Sequence, residues 1–147
     1  MILIPVYATG NSRPVCSAKH KRFIAETLWL FCYYYLMTLA EIVAKVKTLD
    51  LPENSYIVFG SCPLAAVGLR EANDVDMLVD EVVFKDLRRR GWQILQKGPK
   101  DNPLVYDVFE AHPNWDFSQY KPTLKHLLAT ADIIEGVPFA SLAEVRK

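Results

Sequence analysis

A chain of 147 residues, half of them apolar, has enough material for one hydrophobic core. Seventeen basic residues balance seventeen acidic ones, so there is no basic excess for a broad grip on long nucleic acid. Three cysteines at unrelated spacings, Cys16, Cys32 and Cys62, make neither a zinc pattern nor an even disulfide framework, and reduced thiols in a cytoplasmic protein account for them most simply.

Residues 1–36 read as a poorly specified extension. Met1 to Lys21 contains Pro5, Gly10, Asn11, Ser12 and Pro14 and has little periodicity, while Phe23 to Leu36 is apolar and aromatic. The uncharged run from Thr27 to Ala40 falls short of the roughly 20 residues that span a bilayer. A membrane anchor and an added oligomerisation helix are the alternatives for this segment. The domain proper is expected to begin at Met37, because Thr38-Leu39-Ala40-Glu41 is a capping box. Leu39, Ile42, Val43, Val46 and Leu49 follow helical spacing, and Asp50-Leu51-Pro52 stops the helix.

Further along, α and β signals alternate. Tyr56 to Phe59 is a strand, Cys62 to Arg70 a short helix and Asp74 to Val79 a second strand. Glu81 to Arg90 is a helix with acid at its start, Arg88-Arg89-Arg90 in its last turn and Gly91 as its stop. Trp92 to Gln96 and Leu104 to Glu110 are expected as strands joined by the polar loop 97–103. Thr123 to Ala131 is a helix, and Asp132 to Phe139 a hairpin turning at Glu135-Gly136. The order predicts an α+β fold: a mixed β-sheet that starts with a βαβ crossover and continues with antiparallel strands.

The segment richest in chemistry is Tyr56 to Val79. The first strand ends in Gly60-Ser61, and the second opens with Asp74-Val75-Asp76. Side chains two apart on a strand share a face, so the two carboxylates stand side by side. Such a pair is costly unless a cation lies between its members or one is protonated. Carboxylates with substrate phosphates suit Mg²⁺, and a Gly-Ser step after a strand lets backbone approach a phosphate.

Gly60-Ser61 followed by Asp74-Val75-Asp76, together with Gly68-Leu69-Arg70, resembles the signature of the nucleotidyltransferase superfamily, the polymerase β-like fold. Small prokaryotic minimal and abortive-infection-type members are the most similar in spacing. The resemblance extends from about Met37 to the end of the chain. It implies a mixed sheet with helices mainly on one side, and transfer of a nucleoside monophosphate from a triphosphate to a hydroxyl on a protein, RNA or small molecule. It also implies a two-ion Mg²⁺ site, with Mn²⁺ as the other candidate ion. The catalytic and metal-binding acids would be Asp74, Asp76 and a third carboxylate on a later strand. Within Val105 to Glu110, Asp107 is the expected third acid because it sits in an apolar frame where burial is expensive; Glu110, near the strand end, is the fallback. Gly60 and Ser61 would contact the nucleotide. Arg70 would either meet the triphosphate or pair with Glu71 or Asp74.

Other residues draw plainer readings. His112 is expected in a loop before Pro113, and Trp115, Phe117 and Tyr120 are expected to fasten a long loop to the core rather than to stack on a base. Cys62 is a remote candidate nucleophile. Ser141-Leu142-Ala143-Glu144 reads as a second capping box, and the resemblance leads one to expect a further helical segment after Lys147. A non-catalytic nucleotide-binding or toxin–antitoxin partner module with the same fold is the alternative function.

Overall fold

The computed structural model describes residues 36–116 and 118–146. The expected extension therefore lies outside the described residues, apart from Leu36. Helix α1 spans Leu39–Lys47 and begins as expected: the Thr38 hydroxyl accepts from the Glu41 N–H, and the Glu41 carboxylate accepts from the Thr38 N–H. Ile42, Val43 and Val46 form its buried stripe.

Strand β1 (Tyr56–Phe59), helix α2 (Cys62–Ala66), strand β2 (Val75–Val79) and helix α3 (Glu81–Arg89) follow. Strand β3 (Gln93–Ile94) is shorter than expected. The expected strand Leu104 to Glu110 is two strands, β4 (Leu104–Tyr106) and β5 (Phe109–His112). Asp107 has φ 52° and turns the chain between them, so alternation does not run through it. Helix α4 (Leu124–Ala129), strands β6 (Asp132–Ile134) and β7 (Val137–Phe139), and helix α5 (Leu142–Val145) complete the chain. The hairpin at Glu135-Gly136 is present, with both residues at positive φ.

The strands make one seven-stranded mixed sheet in the order β3-β4-β5-β2-β1-β7-β6. The fold is α+β, but it does not begin with a βαβ crossover. Strands β1 and β2 pair antiparallel, with Phe59 opposite Asp76, because α2 turns the chain straight back along its neighbour. The parallel pairings are β2 with β5 and β1 with β7.

Alternation along the central strands divides the interior into two layers. Tyr56, Val58, Val75, Met77, Val79, Phe109 and Ala111 meet α1, α2 and α3 on one face. Ile57, Phe59 and Leu78 meet α4 and α5 on the other, together with Trp115. Among the described residues, helices therefore cover both faces, three against two, rather than mainly one. The second face carries a smaller apolar cluster, and its central strands present the polar residues Asp76, Glu110 and His112 there.

Met37 is a working part of the first layer. Its N–H donates to the Ala72 carbonyl at 2.8 Å, and its side chain is 2% exposed. Met37→Ala should lower the unfolding free energy by about 2–5 kcal/mol, the usual cost of truncating a buried methionine, read from the urea midpoint. A chain starting at Met37 is expected to melt cooperatively by circular dichroism; a broad, non-cooperative transition would show that the preceding apolar run belongs to the core.

Candidate metal centre

Two strand registers build the site. Asp76 lies opposite Phe59 on β1 and beside Glu110 on β5, while His112 lies beside Leu78. In parallel and antiparallel pairs alike, registered residues project to the same face, so Asp76, Glu110 and His112 converge. Their donor atoms all lie within 4.8 Å of one another, and the three could hold a metal ion. His112 Nε2 is 3.8 Å from Asp76 Oδ1 and 3.8 Å from Glu110 Oε2. Its side chain is only 4% exposed.

Gly60 is required here. Its φ is +67°, and a Cβ built on it would lie 2.2 Å from Asp76 Oδ2. The Asp76 carboxylate thus lies directly over the Gly60 backbone, which no residue with a side chain permits. Ser61 starts α2 without capping it through its hydroxyl.

Asp74 precedes β2. Burial pushes its carboxyl above the ordinary aspartate range, and the charges of Asp76 and Glu110 push it the same way; Lys97 opposes them. Cys62 belongs to the same neighbourhood, with its thiol donating to the Asp74 carbonyl at 3.2 Å. Burial, then Asp76, then Asp74, push that thiol up to about 12. That shift runs opposite to the activation that a helix start can give a thiol.

Asp107 stands outside the group. At the β4–β5 turn its carboxylate is held by Lys45 of α1 at 2.7 Å, toward the first face, whereas Asp76 and Glu110 point to the second. The reason is the turn: strand alternation cannot carry Asp107 to Asp76, but strand β5 carries Glu110 there. Arg70 also lies apart, with its Nε donating to the Glu71 carbonyl and its side chain lining a groove beside residues 36–39.

Three residues of the site were not selected from sequence. His112 is not in a loop but ends β5, buried. Its spacing of two from Glu110 is the same signal that singled out Asp74 and Asp76. Lys97 and Asp101 come from the polar loop between β3 and β4. The Asp101 carbonyl accepts from the N–H groups of Lys97 at 2.9 Å and Gly98 at 3.2 Å, closing the loop. Lys97 then ion-pairs with Glu110, and Asp101 Oδ1 comes within 3.4 Å of His112 Nδ1. Burial alone would draw the Lys97 ammonium down. The Glu110 hydrogen bond and the charges of Glu110, Asp76 and Asp101 outweigh it, and its pKa is raised.

Trp115 covers one side of the site. Its ring centroid lies 4.6 Å from that of Phe59 and 4.9 Å from that of His112. Tyr120 donates to Glu144, so it ties its loop to α5. Glu144 also meets His126 Nε2 at 3.2 Å, which replaces the expected capping box at Ser141. Phe117 lies outside the described residues.

The donor set bears on the ion. Asp76 and Glu110 suit Mg²⁺, but an imidazole nitrogen is a poor ligand for so hard a cation. Residues Asp76, Glu110 and His112 together fit an ion that accepts both oxygen and nitrogen. A scan against protein-family models matched no family, and searches of the curated proteins and of the solved structures found no match to this chain. Among the described residues, no helix is long and apolar enough to cross a membrane.

Two outcomes follow from this geometry. Gly60→Ala should be destabilised by more than the about 1–2 kcal/mol of a left-handed backbone alone, because its methyl meets Asp76. Gly60→Ala with Asp76→Gly should recover the excess in thermal melts. Asp74 gives a pH signature. A carboxyl whose pKa is raised by folding favours the native state when protonated, so its penalty is absent below the ordinary aspartate range and complete above the folded value. Asp74→Asn should therefore raise the melting temperature of metal-free protein at neutral pH, and that gain should shrink on acidification.

Proposed function

We propose that the protein is a divalent-metal-dependent nucleotidyltransferase that moves a nucleoside monophosphate from a triphosphate to a hydroxyl acceptor on a protein, RNA or small molecule. The observation that carries this reading is the placement of Asp76 at the point where β1 ends in Gly60-Ser61, with Glu110 beside it on the next strand. Glu110 takes the place given to Asp107 in the sequence reading, and Asp74 completes the carboxylates. When bound, a divalent ion such as Mg²⁺ or Mn²⁺ would neutralise phosphate charge and lower the pKa of the attacking hydroxyl.

The chain's own residues then have separable tasks. Gly60 gives a substrate access to backbone beside Asp76, and the Ser61 hydroxyl and N–H are available to a phosphate. Lys97 is the ammonium that contacts the cluster, and it offers a point charge to a phosphate. The acceptor oxygen forms a bond to the α-phosphorus as the bridging bond to the β-phosphate breaks. Pyrophosphate leaves, and the hydroxyl proton passes to a carboxylate of the cluster, with Glu110 as the assigned base. Trp115 stands against His112 as an aromatic wall of the site.

One observation favours a second reading. Lys97 already pairs with Glu110, so one carboxylate is neutralised from within the chain. A non-catalytic nucleotide-binding or toxin–antitoxin partner module would use the same cluster without turnover.

The test is a set of isosteric variants assayed with labelled nucleoside triphosphates and Mg²⁺ or Mn²⁺. Asp76→Asn and Glu110→Gln should each cost about 10²-fold or more in transfer, since charge stabilisation at the reacting phosphate dominates. Asp107→Asn should stay within a few-fold of the parent. Undiminished transfer by Asp76→Asn would sink the metal-dependent reading. Triphosphate binding with no transfer in the parent, whatever the nucleotide and acceptor, would select the binding module.

A further inference from the structure

The cluster on the second sheet face differs from an all-carboxylate site in one respect. A buried imidazole stands at equal distances from two carboxylates, and its other nitrogen has a carboxylate of its own. Asp101 Oδ1 lies 3.4 Å from His112 Nδ1, and that oxygen is itself buried without a hydrogen-bond partner among the described residues. The two groups are within ion-pair distance but not hydrogen-bonded; a hydrogen bond made there as the ring settles on an ion would keep the proton on Nδ1 and leave the lone pair of the other nitrogen to the ion. Here the other nitrogen is Nε2, and it faces Asp76 and Glu110.

Charge supports the same conclusion. Asp74, Asp76, Asp101 and Glu110 bring four carboxylates together, and Lys97 is the ammonium paired with them. Partial burial makes that excess of negative charge expensive, and a divalent ion at the centre of the donor atoms would relieve it. Oxygen donors alone would suit Mg²⁺, Ca²⁺ and Mn²⁺ alike. The nitrogen shifts the choice, because imidazole suits first-row transition ions. Zn²⁺, Fe²⁺ and Mn²⁺ all accept both kinds of donor, and Mn²⁺ is the one among them that carboxylates also favour.

We propose that Asp76, Glu110 and His112 form a mixed oxygen–nitrogen site selective for Mn²⁺ over Mg²⁺, and that Asp101 is a positioning residue that orients the His112 ring. This rests on the reading above only in taking the cluster as a cation site; it requires no nucleotide and no transfer activity.

The experiment is pulsed EPR on the full-length protein with Mn²⁺ alone, alongside titrations with Mn²⁺ and with Mg²⁺. To make the nitrogen signal specific, His20 and His126 are replaced by glutamine, so that His112 is the chain's single histidine. The parent should show nitrogen modulation on bound Mn²⁺ that changes when the histidine is ¹⁵N-labelled. It should bind Mn²⁺ at least about tenfold more tightly than Mg²⁺, and Mn²⁺ should raise its melting temperature. His112→Asn should abolish the nitrogen modulation and bring the two affinities together. Asp101→Asn should keep the modulation and weaken Mn²⁺ binding by about tenfold or more, as loss of an outer partner does. Bound Mn²⁺ without nitrogen modulation in the parent overturns the proposal while leaving an oxygen-only site for nucleotidyl transfer intact. Equal affinities for the two ions overturn the selectivity, and binding of neither ion overturns this proposal and the metal-dependent function together. Should His112→Asn fail to fold, the isotope change in the single-histidine protein decides alone.

Discussion

The contact between the Asp76 carboxylate and the Gly60 backbone is the constraint on which the rest of the site depends. It arises where β1 ends and β2 begins to run back beside it, with Phe59 registered against Asp76. Because the carboxylate fills the space where a Cβ would stand, position 60 must be glycine and must take a left-handed backbone. That conformation directs the chain into α2, whose short length returns it to β2 as an antiparallel neighbour. The turn that makes the sheet and the charge that makes the site are one local arrangement.

Placing carboxylates on the face of a central strand has a cost, and the surrounding structure shows how it is offset. Lys97 supplies an internal cation to Glu110, Asp101 lies beside the buried imidazole of His112, and burial raises the pKa of Asp74. Each partner comes from a different segment, so folding rather than any single stretch assembles the cluster. The same face is also the thinner apolar layer. Ile57, Phe59 and Leu78 pack there against α4 and α5, and the polar residues lie beyond them toward β5. The first face, by contrast, carries the larger core and no cluster of this kind among the described residues. The larger apolar core lies on one side of the sheet and the polar cluster on the other.

The proposed function uses that division. A nucleotide approaching the second face would meet the Gly60-Ser61 step, the carboxylates and Lys97 in one place, with Trp115 as an aromatic boundary. Asp107, held by Lys45 on the first face, contributes to the β4–β5 turn and to the docking of α1.

Local signals in the sequence determined a good deal. The capping box at Thr38, the helical stripe from Leu39 to Val46, the strand ending in Gly60-Ser61 and the hairpin at Glu135-Gly136 are all properties of neighbouring residues. So is the pairing of Asp74 with Asp76 as two acids spaced by one residue. What the sequence could not decide was anything that depends on the partner strand or on loop closure. Alternation misplaced Asp107 because one residue at positive φ reset the phase between β4 and β5, which put Glu110 on the site's face instead. The antiparallel sense of β1 and β2 depends on how α2 returns the chain, and the same two strand runs could have paired in parallel. His112 became a site residue only when β5 aligned with β2, and Lys97 and Asp101 only when residues 97–101 closed into a turn. Charges brought together from distant segments leave no period in a sequence, and only the tertiary structure gives them a common centre.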